Sequence, residues 1–129
     1  MLIFYSSTGS DPMLLDSADR LREFDREFHK FLRSSSLHAS FTAVTNTNPE
    51  PYAELLGGLR VVKSQGTTQL CLSADRWLEL RGSAQELLLL AKALSGLEDG
   101  SHHHWYTSPL SLIIEADDWR AGCKSEESP

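Results

Sequence analysis

A chain of 129 residues, 40% apolar and 23% charged, reads as one ordinary globular domain, long enough to bury a core without metal or disulfide staples. Its formal net charge of −6 argues against nucleic acid or an anionic membrane as the main partner, because both need basic surface, and suits a basic partner instead. Two cysteines, Cys71 and Cys123, are too few for a disulfide framework and match no zinc spacing, so reduced thiols and a cytoplasmic location are expected.

The opening "MLIFYSSTGSD" holds a very short apolar run with no basic flank, which does not fit a signal peptide. Its "LIFYS" (2–6) is rich in strand formers and is closed by a turn cluster, so it predicts a first strand. Asp11-Pro12 offers an N-cap followed by proline at the first helical position. Leu14, Ala18, Leu21, Phe24, Phe28, Phe31 and Leu32 then recur in steps of three and four, which predicts an amphipathic helix over 12–34 ended by "SSS". "SLHASFTAV" (36–44) alternates apolar and polar residues as a half-buried strand does. "TNTNPEPY" is a loop, and "AELLGG" is expected to add one helical turn.

"LRVVKS" (59–64), Gln65-Gly66 and "TTQLCLS" (67–73) read as a hairpin, with a further strand in "RWLELRG" (76–82) after an "SAD" turn. Ser83 and Glu86 have the spacing of a capping box and open the helix "QELLLLAKAL", with Gly96 placed as its C-cap. Its four consecutive leucines, the longest aliphatic run, fall far below a membrane span and predict a nearly all-buried helix. "HHHWYT" and "LSLIIEA" are expected to be two more extended segments. The pattern predicts an α+β fold with a single mostly antiparallel sheet packed against two helices. Residues 1–119 would form the domain and 120–129 a polar C-terminal tail.

Chemistry-bearing groups concentrate near the end of the chain. In an extended strand His102 and His104 share a face, with Cβ atoms roughly 7 Å apart, a pair able to hold zinc or nickel weakly. A structural zinc site needs four ligands and a catalytic one three plus water, and no spacing nominates the rest, so no metal or other cofactor is assigned. Neither a G-x-S-x-G elbow nor a P-loop is present, and Gly57-Gly58 reads as a turn rather than a phosphate cradle. No catalytic residue is assigned. Cys71, between Leu70 and Leu72, falls on the opposite sheet face from both.

Between Ala93 and Trp119 lie five acidic residues (Glu98, Asp99, Glu115, Asp117 and Asp118) and no Lys or Arg, so this stretch alone carries −5 of the −6. It also holds Trp105, Tyr106 and Trp119. Aromatics supply binding hot spots and carboxylates steer a basic partner. A partner-binding patch is therefore expected at His102, His104, Trp105, Tyr106, Glu115, Asp117 and Asp118, provided the rings are exposed.

The run Gly82-Ser83, Leu87 to Leu90, His102 to Trp105 and Leu112 to Glu115 resembles a small α+β immunity family of bacterial polymorphic toxin systems, in which a short helix precedes a histidine-rich strand and an "LIIE" strand. The resemblance spans about residues 55 to 118. It implies a cytoplasmic inhibitor, not an enzyme, that binds the C-terminal domain of one cognate toxin and blocks its active site. Two other readings stand beside it: a small metal- or histidine-dependent enzyme using His102 and His104, and an adaptor whose partner is not a toxin.

Overall fold

The computed structural model describes residues 1–6 and 10–117. In chain order the elements are β1 (Leu2–Tyr5), β2 (Met13–Asp16), α1 (Ala18–Arg33), β3 (His38–Thr42), β4 (Glu54–Leu55), β5 (Gly58–Lys63), β6 (Gln69–Leu72), β7 (Leu78–Gly82), α2 (Ala84–Ser95), β8 (Ser101–Trp105), β9 (Ser108–Pro109) and β10 (Leu112–Ala116). The expected single, mostly antiparallel sheet packed against two helices is not what forms. The strands make two five-stranded sheets, ordered β4-β1-β2-β10-β8 and β3-β5-β7-β6-β9. Both are mixed, with β2–β10, β5–β7 and β6–β9 parallel.

The physical reason is burial. Ile3, Tyr5, Leu14, Leu112 and Ile114 from the first sheet meet Leu59, Val61, Leu70, Leu78 and Leu80 from the second in one core. Leu21, Phe28 and Phe31 of α1 and Leu87, Leu90, Ala91 and Leu94 of α2 complete it. Two sheets and two helices share this core, so each sheet turns one face inward. The chain passes from one sheet to the other without a break at β4–β5: Leu56 donates to Ile3 O in the first sheet and Ala43 donates to Gly57 O beside the second.

The predicted helix over 12–34 divides in two. Residues 13–16 form β2, a central strand whose Leu14 enters the shared core while Leu15 enters a second cluster with Leu2 and Phe4 on the outer face. Two apolar neighbours buried on opposite faces are what a central strand requires and what the helical spacing disguised. The true N-cap is Ser17, whose Oγ accepts from Arg20 N at 3.2 Å. Asp11 instead accepts from Ser111 N at 3.0 Å, tying the entry of β2 to that of β10.

The predicted hairpin of 59–64 with 67–73 is corrected too. β7 lies between β5 and β6, parallel to one and antiparallel to the other. The hairpin joins β6 to β7 through Ala74, Asp75 and Arg76, with Arg76 in the left-handed region at φ 65° and Ser73 N donating to Trp77 O. This is the three-residue hairpin loop ending in a left-handed residue. Within "AELLGG", Glu54 and Leu55 form β4 and Gly58 opens β5, in place of a helical turn.

The second helix forms as expected over Ala84–Ser95, with one arm of the capping box, the bond to Ser83 Oγ. Ser83 caps it, accepting from Glu86 N at 3.2 Å, and Gly96 ends it. It is less enclosed than expected, because Leu89 is 49% exposed. No helix among the described residues is long and apolar enough to cross a membrane.

Candidate functional site

The outer face of the first sheet can be read as two rows across the strands. One runs Leu2, Leu15, Glu115, His102; the other runs Leu55, Phe4, Met13, Ile113, His104. At the β4–β1–β2 side the rows are covered. Leu2, Phe4 and Leu15 are buried against Met13, Val44, Tyr52 and Leu55, and the Tyr52 ring stacks on Phe4 at 4.7 Å between centroids. The segment from Val44 to Leu55 thus roofs half of the face. Among the described residues nothing roofs the other half, on β10 and β8: Ile113 and Glu115 are half-buried, and His102 and His104 are exposed.

The two histidine rings lie 5.6 Å apart, and His104 lies 6.0 Å from the Tyr106 ring. Tyr106 is 78% exposed. A ladder of three rings therefore stands along β8 and just beyond it, with Glu115 directly across from His102. His103 falls on the opposite side of the strand, and both it and His102 border a shallow cleft with Leu89, Lys92, Ala93 and Leu97 at the end of α2.

The structure sorts the expected patch. His102, His104, Tyr106 and Glu115 come together on this face. Trp105 does not: at 9% exposure it is packed in the shared core. Strand alternation sends it inward between two outward neighbours, so it holds β8 in place instead of meeting a partner. Asp117 follows β10, where its N–H donates to Asp16 O at 3.0 Å. Asp118 and Trp119, like Cys123 and the 120–129 tail, lie outside the described residues.

The acids gather at one end. Asp99, in the turn before β8, accepts from Ala18 N at 2.9 Å at the start of α1. The partial positive charge of free helix N–H groups favours a carboxylate there. Asp19 sits in the same first turn. Asp16, at the end of β2, accepts from Ser17 N and lies 2.9 Å from the Met1 nitrogen. Glu98, Asp99, Asp16, Asp19 and Asp117 are thus drawn to the end of the sheet where α1 begins, next to the row ending in Glu115 and His102.

Sequence reasoning missed the apolar part of the face. Ile113 was legible, since it alternates with Leu112 and Ile114 and shares a face with Glu115. Met13 was hidden inside the supposed helix, and nothing local marks Tyr52 as a roof residue.

Among the described residues, two carboxyl groups elsewhere are perturbed. Asp25, buried on α1, is pushed up by burial, opposed by His29, whose Nδ1 is 3.1 Å from Asp25 Oδ1. Asp75 is held well below the usual carboxylate range by hydrogen bonds from Arg60 and Ser73. Neither reaches the ring ladder. Among the described residues no three His, Cys, Asp or Glu side chains are grouped to hold a metal ion.

No family model, curated protein or solved structure matches this chain.

Proposed function

We propose that the chain is a cytoplasmic immunity protein, which binds the toxin domain of a bacterial polymorphic toxin system and occludes its active site. The observation that carries this reading is the half of the first sheet that no described segment roofs. Exposed rings of His102, His104 and Tyr106 flank Ile113 and Glu115 on a rigid strand pair, and acids collect at its end. Aromatic anchors on a fixed scaffold give contact area at low entropic cost. Carboxylates alongside steer a basic partner, such as a domain that works on nucleic acid or nucleotides. Trp105 has no part in the contact. The proposed contact residues are His102, His104, Tyr106, Glu115 and Asp117.

The test is co-expression with the C-terminal domain encoded by the adjacent upstream reading frame, read as growth rescue and co-purification. With the pair in hand, Glu115→Lys combined with Asp117→Lys is expected to slow association by about tenfold or more at low salt, with the fold intact by circular dichroism. An unchanged association rate removes this face from the contact. Absence of any rescue or complex removes the immunity reading itself.

A further inference from the structure

We propose that His102 and His104 form a two-imidazole chelate for one divalent transition-metal ion of borderline character: copper, nickel or zinc. This is separate from the partner-binding reading and does not depend on it.

Three observations support it. First, the rings belong to alternate residues of one strand and lean together: their Cβ atoms start roughly 7 Å apart on an extended chain, yet the ring centroids are 5.6 Å apart. Second, that separation fits a shared ion. A ligating imidazole nitrogen lies about 2.0–2.1 Å from the metal, which puts the ring centre about 3.2 Å from it. Two such rings stand about 5.2 Å apart at a tetrahedral angle and about 5.5 Å apart at 120°, and would close to about 4.5 Å at the 90° angle of square-planar copper or nickel. Closing the pair on an ion needs the two rings, inclined at 64° to each other, to turn a nitrogen each toward a common point with little change in their separation. Third, both rings are exposed, and neither makes a hydrogen bond with the described residues that would have to be given up. Glu115, across from His102 on the same face, adds negative potential beside the pair.

Two protein ligands leave the remaining coordination positions to water or to a side chain of another molecule. This is the open arrangement, not the closed four-ligand arrangement of structural zinc.

The experiment is calorimetric titration of the untagged full chain with CuCl2, NiCl2 and ZnCl2 in separate runs, in a non-chelating buffer at pH 7.5. One ion per chain is expected, with copper bound tightest. His102→Asn and His104→Asn are each expected to weaken binding by tenfold or more. His103→Asn, which alters the ring on the other side of the strand, should stay within twofold of the unaltered chain. All three side chains are exposed, so circular dichroism should show an unchanged fold. The proposal is overturned by the absence of stoichiometric binding, by indifference to His102→Asn and His104→Asn, or by an equal loss in His103→Asn.

Discussion

Gly57 and Gly58 are small because the Trp77 ring rests on them, and this can be tested by a double-mutant cycle. A Cβ added at Gly57 would fall on Trp77 Nε1 and lie 2.7 Å from Cδ1 and 3.0 Å from Cε2, all side-chain atoms of one residue. The Gly57 backbone is outside the left-handed region, so alanine meets no conformational strain there. The whole cost comes from the ring, which must move by about 1 Å to restore ordinary contact, at about 1–3 kcal/mol for overpacking of this kind. At this chain length that is about 3–5 °C in Tm per kcal/mol. In a Trp77→Ala background the obstacle is gone. Gly57→Ala should then be neutral, or stabilising by up to about 1 kcal/mol through reduced freedom of the unfolded chain. The coupling between the two sites, read from urea midpoints of the four chains, should therefore be about 1–3 kcal/mol. Gly58 provides the contrast. Its added Cβ would also strike Phe41 O on the paired strand β3, so Trp77→Ala should not rescue Gly58→Ala. An equal cost of Gly57→Ala in both backgrounds would refute the reasoning.

Four more outcomes are expected. Ser83→Ala removes the acceptor for Glu86 N and should cost about 1 kcal/mol, measured by chemical denaturation. Trp105→Ala should cost about 3–5 kcal/mol, because it empties a core position; a cost near zero would mean the ring is not packed as described. Burial raises the Asp25 carboxyl, so the folded chain holds its proton more tightly than the unfolded chain does. Stability is then lost as pH rises from about 4 through the folded value, and the penalty persists above it. Asp25→Asn should raise stability at pH 7 by about 1 kcal/mol and flatten that dependence; a lower Tm would show instead that pairing with His29 outweighs the desolvation. The depressed Asp75 has the opposite sign: its contribution is present above the unfolded carboxylate value and is lost as pH falls through the folded one. A carboxyl NMR titration should place Asp75 well below the other aspartates, and Arg60→Gln should bring it back toward them.

The sequence by itself determined what depends on near neighbours. The Ser83 cap and Gly96 terminus of α2, the alternation of "LIIEA" and the pairing of His102 with His104 on one face all follow from spacings of two to four residues. The tertiary structure decided what depends on distant ones. Leu14 and Leu15 suit a helix or a two-faced strand equally well, and β1 on one side with β10 on the other selects the strand. β5 and β6 are adjacent in sequence, yet β7 comes between them, where Leu78 and Leu80 pair with Leu59 and Val61 on one side and with Leu72 and Leu70 on the other. Trp105 and Tyr106 are neighbours with similar rings. Which one is buried depends on the side of β8 that the shared core occupies, and that core is assembled from both sheets and both helices.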